Sequence, residues 1–310
     1  MKRSAFYIFI VLGLLSGVRE LIYAGLRKNK SGEFDKLTTI FIKPNSYNTL
    51  FIGSSRAESH FVPSIIDSIT GLTSFNAGQA GAGLEQSMAV LKSYLVHSVP
   101  PCIVVLNIDI QKAASVHDSV YDFPKYFAYL FFNKKLDEYL EFADSRFRCF
   151  KWLPFCSMPY MNDYYLSASL RGWSGKPNEQ DKMYIKGFSP EYMKTEVNLE
   201  KAYYAAANYE LSDSFVKNLR ELMLLCRNNH IQLILATTPL YHKAIENAKG
   251  MQLMKDLKKI AQDNKLPFID DLDCECCRDK RYFANPGHLN KEGAFLFSEK
   301  FAFQLRQYLP

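Results

Sequence analysis

Five apolar runs recur along the chain, and between them lie segments whose apolar residues have the spacing of helices. Residues within these runs are mostly apolar in succession, a pattern typical of strands that are buried on both faces. A parallel sheet covered by helices on both sides buries its strands in this way. The sequence therefore predicts an α/β fold: a flavodoxin-like three-layer α/β/α domain over residues 45–310 with a five-stranded parallel sheet. The predicted strands are residues 48–53, 73–78, 102–110, 231–239 and 266–271, and the predicted helices include 83–98, 212–230 and 243–264.

The first 30 residues have a different character. Two basic residues precede an apolar stretch, residues 4–18, which Arg19 and Glu20 interrupt. A short basic segment before an apolar run is the pattern of an export signal. Extended through Leu26, the run reaches the roughly 20 residues that cross a bilayer, provided that the charged pair lies near an interface. We interpret residues 1–30 as an uncleaved anchor rather than a buried helix of a cytosolic protein. This predicts a helix that stands apart from a domain on the extracytoplasmic (periplasmic or extracellular) side of a membrane.

Residues 115–199 interrupt the alternation of strands and helices and are rich in aromatic residues. Ordinary connections in such domains take about 2 to 6 residues, so we interpret this segment as an insertion. Its role is either extra packing or a lid or wall beside a substrate site. Trp152 and Trp173 offer flat faces for sugar rings, with burial in packing as the alternative for most of these aromatic residues.

The charge pattern excludes some classes of partner. The net charge of +6 comes from basic residues scattered along the chain, which argues against a nucleic-acid partner. The glycine-rich segment at residues 76–87, "NAGQAGAGLEQS", has no following lysine of a phosphate-binding loop and lacks the G-x-G-x-x-G spacing. We therefore predict no nucleotide site and no other cofactor.

Three of the seven cysteines, Cys274, Cys276 and Cys277, lie close together in the sequence. The cluster lacks the two separate C-x-x-C pairs of a structural zinc site, so we predict no metal there. In an exported domain the expected role of these thiols is a disulfide, with Cys149 or Cys156 as the partner.

Polar residues follow each predicted strand. Ligands of open parallel sheets bind outside the carboxyl ends of the strands, so we expect these side chains to lie at one edge. A serine, a histidine and backbone amides that converge in this way are the groups that acyl transfer requires. In chain order the residues are Gly53, Ser54, Ser55, Arg56, Asn76, Gly78, Asn107, Asp109, Thr237, Thr238 and, before the last helix, His288.

These residues resemble the motifs of the SGNH (GDSL-like) hydrolase superfamily, in particular its membrane-anchored branch related to polysaccharide O-acetylation and D-alanylation proteins. The resemblance lies in the motifs and covers most of the chain after residue 45. Gly53-Ser54-Ser55 is similar to the Gly-Asp-Ser block of that family. Asn76-Ala77-Gly78 is similar to its second block, and Asn285-Pro-Gly-His288 to its last block, Asp-x-x-His.

The resemblance implies a role for each matching residue. Ser55 is the implied nucleophile and His288 the implied base, with Asn285 where the family has an aspartate. The Gly78 N–H is an implied oxyanion donor; Asn107 lies where a further donor is expected, in a segment that does not match the family's third block. Beside the nucleophile we predict Arg56 and Asn76 as substrate-binding residues, with an ion pair to a nearby acid as the alternative for Arg56.

The function implied by the resemblance is a serine esterase or acyltransferase that acts on acylated cell-envelope glycans, with envelope polysaccharide machinery as a possible partner. Asn285 can accept a hydrogen bond from the histidine but supplies no charge to stabilise the imidazolium. Either a dyad suffices, or another acid such as Asp273 or Asp279 replaces the missing aspartate, or the site no longer turns over. The alternative function is therefore a noncatalytic glycan- or partner-binding protein.

Overall fold

The computed structural model describes residues 2–115, 120–177, 179, 184–191, 210–245 and 252–309. Five parallel strands form one sheet in the order β2-β1-β3-β4-β5, and helices cover both of its faces. The predicted α/β fold with a five-stranded parallel sheet is therefore confirmed. The strands are β1 Thr49–Ile52, β2 Ser74–Asn76, β3 Ile103–Asn107, β4 Gln232–Thr237 and β5 Phe268–Asp270.

Fourteen helices are found within the described residues. Successive side chains of a strand point to opposite faces, so the sheet divides the core into two clusters. Leu50 and Ile52 belong to the larger cluster and Phe51 to the smaller one, which α14 helps to close. The helices are α1 Lys2–Lys28, α2 Gly32–Phe41, α3 Ser55–His60, α4 Pro63–Thr70, α5 Leu84–Tyr94, α6 Ile110–Ala114, α7 Lys134–Ala143, α8 Phe147–Trp152, α9 Pro154–Ser157, α10 Asp163–Ser174, α11 Asp213–Asn228, α12 His242–Ile245, α13 Gln252–Asp263 and α14 Lys291–Leu305.

A small antiparallel hairpin precedes the last helix. Its strands are β6 Phe283–Asn285 and β7 His288–Leu289, and Asn285 is paired with His288 in the register. The hairpin places both residues beside α3, which contacts β7. The last predicted motif therefore lies next to the turn that carries Ser55.

The N-terminal helix does not stand apart from the domain along its whole length. It is long and apolar enough to cross a membrane over Phe6–Lys28, as a signal sequence can also be. Its second half packs against α10, with Tyr23 and Leu26 buried. The two backbones approach so closely that a Cβ on Gly172 would overlap the Gly25 carbonyl. The prediction of an isolated anchor is thus wrong for this half.

The predicted insertion divides into two described parts. Residues 120–177 contain α7 to α10 and a 3-10 helix, Phe123–Tyr129, and they surround the second half of α1. Residues 184–191 return to the sheet, where Lys186 O accepts the Asn76 N–H at 2.9 Å. The rest of the insertion, and residues 246–251 of the predicted helix 243–264, lie outside the described residues.

The cysteines pair differently from the prediction. Cys149 and Cys156 form a disulfide with each other, across a separation of seven residues. The Sγ atoms of Cys274, Cys276 and Cys277 lie within 4.8 Å of one another, in the loop before β6. The sequence analysis considered Cys149 and Cys156 only as partners of the later cluster. The turn from α8 into α9, which the spacing of the cysteines does not reveal, brings the two together.

Candidate active site

Ser55 lies where β1 ends and α3 begins. Gly53 makes the turn with a φ of +143°, a backbone conformation that favours glycine, and a Cβ there would lie 2.8 Å from the Asn107 carbonyl oxygen. Ser54 caps the helix by accepting the Arg56 N–H at 3.3 Å. Gly53, Ser54 and Arg56 are buried, whereas Ser55 is half-buried. The turn therefore presents the Ser55 hydroxyl to solvent while its neighbours hold the backbone.

The hydroxyl of Ser55 is hydrogen-bonded to a histidine from the other end of the chain. Ser55 Oγ lies 2.8 Å from His288 Nε2, and His288 Nδ1 lies 3.0 Å from Asn285 Oδ1. These distances are within hydrogen-bond reach for a nucleophile and its general base. The structure thus brings together all three residues that the sequence predicted as catalytic.

The hydrogen bonds of Asn285 determine which nitrogen of His288 carries the proton. The Gly287 N–H donates to Asn285 Oδ1 at 2.9 Å, which identifies that atom as the amide oxygen. Because this oxygen can only accept, His288 Nδ1 is the protonated nitrogen that donates to it. His288 Nε2 is then the acceptor of the Ser55 hydroxyl, the tautomer that a general base requires.

The histidine is held in its neutral form. Burial, and then the positive charge of Arg56, lowers the pKa of His288 to about 4. Asp109 opposes this shift from a longer range. His288 is therefore unprotonated at neutral pH, and in the described part of the chain no carboxylate is bonded to it to stabilise the imidazolium that would form during a reaction.

Neither acid considered as a replacement for the triad aspartate contacts His288. Asp273 pairs with Arg278 at 3.8 Å, and Asp279 pairs with Arg281 at 2.5 Å. Both lie in the loop that contains the cysteine cluster. The hydrogen-bond partner of His288 Nδ1 is the Asn285 amide alone among the described residues.

Arg56 does not lie on an exposed substrate surface. It is 2% exposed, and its Nη2 donates to the Thr238 carbonyl at the end of β4. Its Nε and Nη1 are buried without a hydrogen-bond partner among the described residues. The enclosed guanidinium does not favour the predicted substrate contact. Its positive charge adds to the effect of burial in lowering the pKa of His288.

Asn76 is a buried link between β2 and α3. Its Nδ2 donates to the carbonyls of Ala57 at 2.7 Å and Phe61 at 2.8 Å, and its Oδ1 accepts the Gly78 N–H at 3.0 Å. The substrate contact predicted for Asn76 and the oxyanion role predicted for the Gly78 N–H both stay predictions, and each would require these bonds to be exchanged. Asn76 has no free polar atom for a substrate, and the Gly78 N–H that was expected to bind an oxyanion is already engaged.

Two other donors near Ser55 remain available. Asn107 is 3% exposed, and neither polar atom of its amide has a partner among the described residues. It lies beside Gly53, because Ile52 pairs with Leu106 in the sheet. The Ser55 N–H begins α3, and no acceptor for it is found within the described part of the chain. A buried amide left unpaired costs free energy unless a ligand or water satisfies it.

Ser54, the residue before the candidate nucleophile, is bonded to a carboxylate that follows the neighbouring strand β3. Its Oγ donates to Asp109 Oδ2 at 3.0 Å, while Asp109 Oδ1 accepts the Gln111 N–H at 3.0 Å and caps α6. The carboxylate thus fixes the turn from β3. The sequence placed Asp109 at this edge but did not predict its partner.

His60 is a residue of the site that the sequence analysis missed. It is fully buried at the end of α3, and its Nε2 accepts the Leu289 N–H at 3.0 Å. Its ring packs edge-on against His288, with centroids 6.1 Å apart. Burial holds the pKa of His60 well below its ordinary value, so it is a neutral acceptor that fixes β7 against α3. The only signal in the sequence is its position five residues after Ser55.

No protein-family model matches the chain, and no curated protein sequence matches it. Several solved structures align with most of it at low identity. A candidate acylhydrolase from Bacteroides fragilis is 15% identical with a TM-score of 0.41, over 88% of this chain and 93% of that chain. A GDSL-like lipase from Bacteroides thetaiotaomicron is 12% identical with a TM-score of 0.39, over 86% and 88%. An acetyl xylan esterase is 12% identical with a TM-score of 0.42, over 86% and 100%. At these identities and TM-scores nothing about activity follows from the similarity.

Proposed function

We propose that this chain is a membrane-anchored serine esterase or acyltransferase of the SGNH type that acts on acylated glycans of the cell envelope. The observation that carries the proposal is the hydrogen bond of 2.8 Å between Ser55 Oγ and His288 Nε2, at the carboxyl edge of a parallel sheet. The class of substrate rests on the motif resemblance. The anchor rests on α1, which is long and apolar enough to cross a membrane.

The reaction proceeds through an acyl-enzyme. Ser55 Oγ attacks the acyl carbonyl carbon and gives its proton to His288 Nε2, and the carbonyl oxygen becomes an oxyanion. As the bond to the alcohol oxygen breaks, His288 returns the proton to the departing alcohol. Water, or the hydroxyl of an acceptor sugar, then attacks the acyl-Ser55 carbonyl with His288 as base. The second product is a free acid or a new ester, and Ser55 recovers its proton.

The oxyanion is stabilised by the Ser55 N–H and by the Asn107 amide. Both donors lie at the nucleophile turn and are left without partners among the described residues. Donors that are fixed before the reaction stabilise developing charge without reorganisation, which is usually a large contribution to catalysis. The Gly78 N–H contributes only where it exchanges its bond to Asn76 for one to the substrate.

The alternative is a noncatalytic protein that binds a glycan or an envelope partner at the same edge. Two observations favour it: the neutral Asn285 in place of an aspartate, and the low pKa of His288, which makes it a weak base. The intact Ser55–His288 pair and the unpaired Asn107 amide favour the catalytic function, because a site that had lost turnover would need neither.

The proposal is tested with the full chain in detergent micelles, by the release of acetate from an acetylated model ester and from an acetylated glycan. We expect Ser55→Ala to reduce the rate to that of buffer. Ser68→Ala, a surface serine of α4, is the matched control and leaves the rate unchanged. If native protein and Ser55→Ala both equal buffer on every ester while the native chain binds the glycan, the noncatalytic function is correct.

A further inference from the structure

The first half of α1 is free, and the second half is enclosed by the insertion. Residues from Phe6 to Val18 expose most of their large apolar side chains. From Arg19 onward the helix touches the domain: Arg19 Nη1 donates to the carbonyls of Phe150 and Lys151, at 3.4 and 3.3 Å. Further along α1, Trp173 Nε1 donates to the Leu21 carbonyl at 3.1 Å. This bond lies near the place where Gly25 of α1 packs closely against α10.

The free half is too short to cross a bilayer by itself. At about 1.5 Å per residue, Phe6 to Val18 extends about 20 Å, whereas the hydrocarbon core is about 30 Å thick. The missing 10 Å or so corresponds to about two further turns of helix. Those turns, from Arg19 to Leu26, are packed against the insertion. A spanning α1 therefore brings the surface of the insertion to the level of the membrane interface.

That surface is apolar where it surrounds the helix. Leu166, Leu170 and Trp173 occupy one face of α10 at helical spacing, beside the face that packs on α1. A second group of exposed apolar side chains comes from the residues directly after the 3-10 helix and from the turn between α8 and α9. Together the eight side chains, which we call the collar, are between 38% and 69% exposed: Phe131, Phe132, Trp152, Leu153, Phe155, Leu166, Leu170 and Trp173.

Contacts with α1 join the collar to the helix. The Arg27 guanidinium lies 4.3 Å from the centre of the Phe132 ring, and the Lys28 amine lies 3.6 Å from that of Trp173. Basic and aromatic side chains at the end of an apolar helix are the composition of a membrane interface. Soluble monomers seldom expose a contiguous apolar patch of this kind without a partner.

Three charged side chains of α1 near this depth have polar partners. The two carbonyl bonds of Arg19 satisfy part of its guanidinium, and Glu20 pairs with Arg27. Paired or hydrogen-bonded charges cost less near a membrane than free ones, and long basic side chains reach outward to the headgroups. Arg19 and Glu20, which interrupt the apolar run in the sequence, are thus compatible with the upper acyl region, where a spanning α1 places them.

We propose that the collar is a membrane-seated surface: it lies in the headgroup and upper acyl region of a lipid bilayer around α1. The insertion then seats the domain on the membrane, and its exposed aromatic residues contact lipid instead of sugar. This inference rests on the anchor in the proposed function and is independent of the catalytic assignment. It gives Trp173, whose indole contacts α1, a different role from the sugar contact that the sequence predicted.

The chain offers a direct probe, because its two tryptophans, Trp152 and Trp173, both belong to the collar. The full chain is reconstituted into phosphatidylcholine vesicles that contain lipids brominated either near the glycerol backbone or near the chain end. We expect strong quenching of tryptophan fluorescence, greater for the shallow bromine than for the deep one. The variants Trp152→Phe and Trp173→Phe each leave a single tryptophan, and each should still be quenched.

A matched control places a tryptophan on the far side of the sheet. Phe303 is 54% exposed on α14, and the variant Trp152→Phe/Trp173→Phe/Phe303→Trp carries its only tryptophan there. We expect no quenching of this variant beyond that of bromine-free vesicles. Quenching of the collar tryptophans that does not exceed this control would overturn the proposal. Ester hydrolysis by the same vesicles reports separately on the catalytic site.

Discussion

A single side chain, Asn285, decides how well the Ser55–His288 pair can work. Its amide oxygen holds the His288 tautomer, as an aspartate would, because the Gly287 N–H fixes the amide orientation. What it does not supply is charge. Burial and then the positive charge of Arg56 destabilise the imidazolium, no carboxylate among the described residues contacts it, and the pKa of His288 is lowered to about 4.

We therefore predict that Asn285→Asp increases the rate of ester hydrolysis. The new carboxylate would stabilise the imidazolium, and it would raise the pKa of His288 from about 4. Because only neutral His288 is a base, activity is lost as pH falls through its pKa, so the acid limb of kcat/KM should lie near pH 4 in the native protein and move upward in the variant. We expect a gain of at least about tenfold at pH 7, since the reverse change in a serine protease costs about 10⁴.

Hydrolysis measured between about pH 3 and pH 9 checks this prediction. Asn264→Asp, at the end of α13, is the control for an added charge far from His288. An unchanged rate and an unchanged acid limb in Asn285→Asp would contradict the role given to Asn285. A native acid limb near the ordinary histidine value would contradict the lowering of the His288 pKa by burial and by Arg56.

At the scale of elements, Asn76 joins β2 to α3 and so holds the nucleophile turn in place. Its amide donates to the carbonyls of Ala57 and Glu58 in α3 and of Phe61 directly after α3, and it accepts the Gly78 N–H. A helix of six residues has little stability of its own, so such a link matters for the position of Ser55.

Replacing Asn76 by Ala should lower the free energy of unfolding by about 2 to 4 kcal/mol, because it removes the bonds from Asn76 to α3 and leaves the Phe61 carbonyl and the Gly78 N–H without partners among the described residues. Chemical denaturation followed by circular dichroism measures this loss. Asn48→Ala is the matched control: Asn48 Oδ1 accepts the Thr73 N–H at 2.9 Å at the opposite, exposed end of the same strand pair. We expect that change to cost less than about 1 kcal/mol. Equal losses in the two variants would show that Asn76 has no special role.

Sequence patterns were sufficient for the elements of the sheet and for the residues that follow its strands. A strand that is buried on both faces consists of consecutive apolar residues, which are easy to find in a sequence. The carboxyl ends of parallel strands then lie at one edge of the sheet. The patterns could not show which polar groups near that edge are already satisfied. Asn76 and Arg56 were predicted to contact substrate, but packing against α3 and β4 encloses them. These tertiary contacts join residues that are far apart in the chain, so no periodic pattern in the sequence predicts them.

At the scale of the whole molecule, the same limit explains the corrections at α1 and the cysteines. Hydropathy identified the apolar helix, but not that α10 would pack against its second half through Gly25 and Gly172. The sequence showed that the insertion is rich in aromatic residues but did not show their role. Many of these rings pack on one another, and the exposed rings of the collar lie beside α1. The molecule therefore has two separate features that bear on function: the collar beside α1, and Ser55 at the carboxyl edge of the sheet.

The central claim, that Ser55 is an activated nucleophile, is tested most directly by intact-mass measurement after treatment with a serine-directed fluorophosphonate. The full chain in detergent should gain the mass of one adduct, because His288 accepts the Ser55 proton and the hydroxyl is accessible. Ser68→Ala should label as the native chain does, and Ser55→Ala should not label. An unmodified native chain, under conditions that label a known serine esterase completely, would contradict the claim, as would an adduct that persists in Ser55→Ala.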